Sequence, residues 1–168
     1  MIAKAIIEDA PALDKLVNSA YRGDTSRQGW TTEADLLDGT RTDAAAIADR
    51  IKTPGTILLK FVKKNEIQGC VDLSFQSGKL YLGMLTVKPD RQGAGIGKQL
   101  LKAAEEEAKK QNCASIFMTV ISVRQELIDW YVRHGYHLTG ERKPFAFNDP
   151  RFGQPKMKLE FVVLEKSI

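Results

Sequence analysis

This 168-residue chain predicts an α+β fold: a single mixed, mostly antiparallel sheet of about six or seven strands, flanked by helices on both faces. Three observations carry that reading. Residues 56–87 form three consecutive β-rich runs joined by short polar turns, which is an antiparallel meander. A glycine-rich loop, residues 92–97, connects the third run to an amphipathic helix, so the strand after that helix returns parallel to the third. That returning run, residues 115–122, is nearly continuous in apolar residues, as in a strand covered on both faces.

Taken in order, residues 2–7 alternate well enough for a short first strand near an edge. Glu8, Asp9 and Pro11 open a helix in which Leu13, Leu16, Val17 and Ala20 form one buried face. Residues 21–30 are polar, glycine-punctuated and irregular. Thr32 with Asp35 resembles a weak capping box for a short helix through Leu37. Thr42 or Asp43 caps the next helix, with Ala44, Ile47, Ala48 and Ile51 inward, and Pro54-Gly55 stops it. The turns of the meander fall at residues 63–66 and 76–79.

After the glycine loop, Ile96, Leu100, Leu101, Ala104 and Ala108 recur at helical spacing. Leu127, Ile128, Tyr131 and Val132 do the same further on, and Gly135 after His134 is a C-terminal stop. A strand begins at Tyr136 and runs to Gly140. Residues 142–155 hold three prolines and little periodicity, which reads as a loop, and residues 157–164 close the chain as a strand.

Composition narrows the function classes. The length suits one domain over residues 1–168, and 43% hydrophobic with 27% charged residues is ordinary for a globular protein. No apolar run approaches the ~20 residues of a membrane span, and the N-terminus lacks a signal-peptide core, so a cytoplasmic location and no membrane partner are expected. Cys70 and Cys113 read as buried free thiols without metal-site spacing, and no metal is expected. A net charge of +4, scattered and without a nucleic-acid-binding pattern, argues against nucleic acid as partner. A polyanionic small molecule or a merely solvated surface accounts for it equally well.

The glycine loop is the chemical centre of the sequence. Gly93, Gly95 and Gly97 allow backbone conformations that a Cβ would forbid. Successive N–H groups of Gln92, Gly93, Ala94, Gly95, Ile96 and Gly97 can then converge at the positive end of the following helix, where a diphosphate binds well. Two other phosphate loops fail on spacing. A P-loop needs glycine five residues before Gly97 and a hydroxyl after Lys98, but Gln92 and Gln99 stand there. The dinucleotide fingerprint starting at Gly93 needs glycine where Lys98 is.

What fits is Val87, Pro89, Gln92, Gly95 and Gly97 followed by Leu100-Leu101, which resembles the acyl-CoA loop of the GNAT superfamily of N-acetyltransferases. A second match lies in residues 127–136, similar to the family's segment ending Tyr-x-x-x-Gly-[Phe/Tyr], with Tyr131 at the tyrosine position. The resemblance implies a GNAT-like fold and acetyl-CoA as cosubstrate. It implies that pantetheine pairs with Leu85 and Val87, with Thr86 pointing away between them. A splay between that strand and residues 115–122 would give the thioester a slot, and a strand N–H would polarise its carbonyl. Tyr131 would protonate the departing thiolate, while its alternative role is core packing. Lys98 either adds charge at the diphosphate or stands in solvent. Where many relatives carry asparagine, seven residues before the tyrosine, this chain has Arg124. That residue can meet an acceptor carboxylate, a phosphate or water.

The resemblance implies a small-molecule, amino-acid or peptide amine as acetyl acceptor, and nothing marks its general base uniquely. Glu33, Asp35, Asp24 and Asp72 are the acids to consider, with Trp30, Tyr21, Phe145 and Phe147 as aromatics for an acceptor pocket. Trp30, Glu33, Arg124 and Phe145 are the substrate-binding candidates. A non-catalytic acyl-CoA sensor is the rival reading, and pairing of two copies through an edge strand stays open.

Overall fold

The computed structural model describes residues 1–21, 37–38, 42–144, 154–155 and 159–168. Its strands are β1 (Ile2–Lys4), β2 (Leu37–Asp38), β3 (Thr56–Lys63), β4 (Glu66–Gln76), β5 (Lys79–Val87), β6 (Ser115–Ile121), β7 (His137–Pro144), β8 (Gln154–Pro155) and β9 (Glu160–Ser167). The helices are α1 (Ala10–Tyr21), α2 (Ala44–Lys52), α3 (Ile96–Lys110) and α4 (Gln125–Arg133). Seven strands form one sheet in the order β1-β3-β4-β5-β6-β9-β7, and β2 pairs with β8 in a separate two-stranded ladder. Every pairing in the large sheet is antiparallel except β5 with β6. The predicted mixed sheet is therefore what the chain forms.

The meander turns are tight because the residues at their tips adopt left-handed backbone. Lys64 and Asn65 have φ of 53° and 58°, and Ser77 and Gly78 have 50° and 78°. Two consecutive positive φ values match the right-handed twist of the strands they join. Alternation along β3 and β4 then feeds two cores. Leu58 and Cys70 face α1 and α2, packing with Leu13, Leu16, Val17 and Ile47. Leu59, Phe61, Val71 and Leu73 face the opposite side, with Leu100, Leu101, Ala104 and Ala108 of α3. The five α3 residues chosen by helical spacing are the five that the helix buries. Both cysteines are free and buried.

Several boundaries differ from expectation. β1 ends at Lys4, and a single 3₁₀ turn, Ile7–Asp9, precedes α1 because the Asp9 carboxylate accepts the Ile6 N–H at 2.9 Å. Asp43, not Thr42, caps α2, accepting the Ala46 N–H at 2.8 Å. Leu37 lies in a strand, held by its ladder to Pro155, where a helix end was expected. β7 extends through Arg142 to Pro144, where the sequence reads as a loop. Its eight residues are all exposed, so no alternation marks it, and its pairing with β9 is interrupted between Leu138 and Arg142. Val132, expected on the inner face of α4, is 47% exposed. Among the described residues no helix is long and apolar enough to cross a membrane.

Candidate active site

The site begins with a defect in the sheet. β5 and β6 pair only at Leu80↔Ile116 and Tyr81↔Phe117. Beyond these pairs β6 stays with β9, through Ile121↔Phe161, while β5 stays with β4. The cause lies in β5 itself. Its register to β4 slips by one residue between Asp72↔Gly83 and Cys70↔Thr86, and Met84, the residue after Gly83, has φ of 53°. An extra residue on one strand bends that strand away from its neighbour. The result is a wedge whose two walls diverge toward the glycine loop. Inside its closed end, Tyr81 and Thr119 share a hydrogen bond of 3.1 Å between the strands, and Tyr81 packs on Phe117 at 5.2 Å.

One edge of β5 faces the wedge. The Lys88 N–H bonds to the Gln68 carbonyl on β4 at 2.8 Å. Strand alternation therefore turns the backbone groups of Val87 and Leu85 the other way, with Thr86 directed to β4. Thr86 is buried, and its hydroxyl donates to the Met84 carbonyl at 2.9 Å.

The wedge opens onto a cavity of about 650 Å³. Leu85, Val87, Gln92, Gly93, Gly95, Ile96, Gly97 and Lys98 all line it, so eight of the ten loop and strand residues chosen from sequence converge there. Thr86 and Ala94 do not. Gly93 and Gly95 have φ of 87° and 82°, and a Cβ on either would meet nothing within 4 Å. Their glycine requirement is conformational, and the space in front of them is open. Gly95 is the N-cap of α3, so the amides of Ile96, Gly97 and Lys98 belong to a first turn with no helical acceptors. Among the described residues none of the amides from 93 to 98 bonds a backbone carbonyl. Such a concavity of open amides at a helix N-terminus fits a diphosphate.

The far wall comes from α4, and sequence reasoning missed most of it. Leu127, Trp130 and Arg133 of α4, its C-cap His134, and Pro89 before the glycine loop complete the lining. Trp130 stacks on His134 at 4.2 Å and meets Tyr131 edge-on at 5.1 Å. His134 Nδ1 lies 2.7 Å from the Trp130 carbonyl. Carbonyls only accept, so Nδ1 carries the hydrogen of that bond. Of the α4 residues in this wall, only Leu127 belongs to the helical pattern read from the sequence, and such spacing serves a core face equally well.

Tyr131 sits deeper, on the buried side of the same helix, 4% exposed. Burial pushes its phenol well above its usual ionisation range, the neighbouring Tyr21, Tyr136 and Tyr81 hydroxyls push the same way, and the Arg124 guanidinium opposes them. The Tyr136 ring meets the Tyr131 ring edge-on at 5.8 Å. Arg124 is itself buried, 5.8 Å over the Tyr21 ring, and Tyr21 donates to the Leu85 carbonyl at 2.7 Å. A phenol, a guanidinium and the unpaired end of β5 thus meet at one place. Asp72, one of the acids considered as a base, accepts from Arg50 Nε at 2.9 Å. Trp30, Glu33, Asp24, Asp35, Phe145 and Phe147 lie outside the described residues.

A mixed sheet wedged open beside an amide-lined helix start defines an α+β protein built to hold an extended ligand. The family model described as an acetyltransferase (GNAT) domain matches residues 24–158, and the chain belongs to that family. Among solved structures, the ribosomal-protein-S18-alanine N-acetyltransferase of Escherichia coli superposes with a TM-score of 0.73 at 14% identity, over 100% of this chain and 93% of that one. The ribosomal-protein-alanine N-acetyltransferase of Brucella melitensis gives 0.73 at 18% identity, covering 100% and 99%. The PaiA N-acetyltransferase of Thermoplasma acidophilum, solved with coenzyme A, gives 0.70 at 17%, covering 100% and 98%. A search of curated proteins finds no match.

Proposed function

We propose that this chain transfers an acetyl group from acetyl-CoA to a primary amine by direct attack in a ternary complex. The observation that carries the reading is the continuity of wedge and loop: the open amides of residues 93–98 and the unpaired edge at Leu85 and Val87 line one cavity. Gly93 to Lys98 would hold the diphosphate, Leu85 and Val87 the pantetheine, and Tyr131 the sulfur end. The cosubstrate supplies an activated thioester.

In the transfer a C–N bond forms, the C–S bond breaks, the amine loses a proton and the departing thiolate gains one. Tyr131 is the donor to that thiolate. Burial keeps its phenol protonated. A thiol ionises near 8.5, so full proton loss from such a phenol to a thiolate is uphill. Tyr131 therefore donates a strong hydrogen bond as charge develops on sulfur, or regains a proton as it gives one. A β5 N–H facing the wedge can stabilise the carbonyl oxygen.

The acceptor is an amine of a small molecule, an amino acid or a peptide. Two of the structural neighbours are named as ribosomal-protein-alanine N-acetyltransferases, which supports including a protein or peptide amine. Arg124, buried beside Tyr21, is suited to an anionic group on the acceptor. The reading places the chain in the cytoplasm, where the two buried free thiols would stay reduced.

CoA release, followed with a thiol reagent across a panel of amines, amino acids and peptides, tests the proposal. Turnover with at least one acceptor is expected. Tight acetyl-CoA binding with no release for any acceptor would favour a sensor.

A further inference from the structure

We infer that Tyr21 is a displaceable stand-in for the cosubstrate on the open edge of β5; the inference rests on the acyl-CoA reading above. On the side facing β6 the wedge leaves Leu85 and Val87 without a neighbouring strand, since β5 and β6 pair no further than Tyr81↔Phe117. Half-buried backbone carbonyls without partners are costly, and each of these two has recruited a side-chain donor. The Tyr21 hydroxyl donates to the Leu85 carbonyl at 2.7 Å, and the Gln92 side-chain amide donates to the Val87 carbonyl at 3.2 Å. The two acceptors are alternate residues on the edge that a neighbouring strand would have paired. An acyl carrier arm bearing two amides presents the same N–H groups. It must take these carbonyls from the side chains that hold them.

Tyr21 is the more consequential of the pair. It is the last residue of α1, its ring lies under the Arg124 guanidinium, and its hydroxyl acts on the ionisation of Tyr131. Its release from Leu85 on arrival of the arm changes the surroundings of both groups. Tyr21 is thus a positioning residue that competes with cosubstrate for the Leu85 carbonyl and frees its hydroxyl when the arm takes that carbonyl.

The test is calorimetric titration of wild type and Tyr21→Phe with two ligands: CoA, which carries the arm, and adenosine 3′,5′-bisphosphate, which does not. Phenylalanine keeps the ring in the core, and thermal unfolding of both proteins verifies the fold. Loss of a competing hydrogen bond is expected to tighten CoA binding by about two- to tenfold. The truncated ligand should bind both proteins alike. Unchanged or weaker CoA binding by the variant would overturn the inference, because Tyr21 would then be a static tether or a direct contact. Equal changes for both ligands would overturn it too, since the effect would not pass through the arm. Wild type that binds neither ligand would remove the acyl-CoA reading itself, and this inference with it.

Discussion

The indole of Trp130 lies against Gly97, so closely that a Cβ on the glycine would stand 3.4 Å from Cζ2 of the ring. The contact joins the first turn of α3 to α4, and both residues line the same cavity. Trp130 therefore reports on ligand entry. The chain has two tryptophans, so Trp30→Phe leaves Trp130 as the sole indole emitter. In that variant CoA should change the emission with the midpoint found by calorimetry. Binding with no change in emission would put the ligand elsewhere.

Tyr131 divides binding from chemistry. Tyr131→Phe keeps the ring and its edge-on contacts with Trp130 and Tyr136, at 5.1 and 5.8 Å, and removes only the hydroxyl. Loss of a positioned proton donor should lower kcat by about 10²-fold or more. The Kd for CoA should stay within about twofold, because the hydroxyl acts at the sulfur as charge develops. An unchanged kcat would leave Tyr131 as core packing.

The same burial sets the pH behaviour. Tyr131 is shifted upward by burial first and neighbouring hydroxyls second, and Tyr136 upward by burial and then Glu105. A group whose folded pKa exceeds its unfolded value contributes stability that is complete below the unfolded value, near 10 for tyrosine, and is lost as pH rises above it. Urea unfolding should show stability falling above about pH 10, by roughly 1.4 kcal/mol per pH unit for each such phenol. Replacing both tyrosines by phenylalanine should flatten that fall. In turnover, kcat should show no descending limb below pH 10. A limb at pH 8 to 9 would point to another acid.

What the sequence made legible follows what leaves a periodic trace. The buried face of α3 was readable because a helix on a sheet repeats its apolar residues, and the loop because glycine at positive φ has few substitutes. The bulge at Met84 left none: an extra residue inside an apolar run is just another apolar residue. β7 was cut short because an edge strand exposed on both faces has no alternation to detect. The α4 wall was hidden differently. Leu127 and Trp130 carry the spacing of a core face, and only the fold shows that part of that face looks into a cavity. Tyr131 and Arg124 had alternatives in sequence that depended on what stood around them.

Gly69 supplies the sharpest test of how the loop is held. It lies in β4 opposite Val87, beneath the start of α3. A Cβ there would be 2.9 Å from Ile96 Cγ2, 3.0 Å from Leu100 Cδ1 and 3.0 Å from the Thr86 carbonyl oxygen. Two of these are side chains that can turn, but the third is β5 backbone held in its ladder. The relief available is to lift the N-terminus of α3, and Ile96 is its first residue. Gly69→Ala should therefore cost about 1–3 kcal/mol by overpacking and displace the amides of residues 96–98. Leu101→Ala removes buried volume from the same helix without pushing on its start, and should cost more, about 2–5 kcal/mol. If Gly69 sets the height of the loop, Gly69→Ala weakens CoA binding more than Leu101→Ala does, although it destabilises the fold less. If affinity instead tracks stability across the two variants, the loop takes its position from the helix as a whole and not from the missing side chain beneath it.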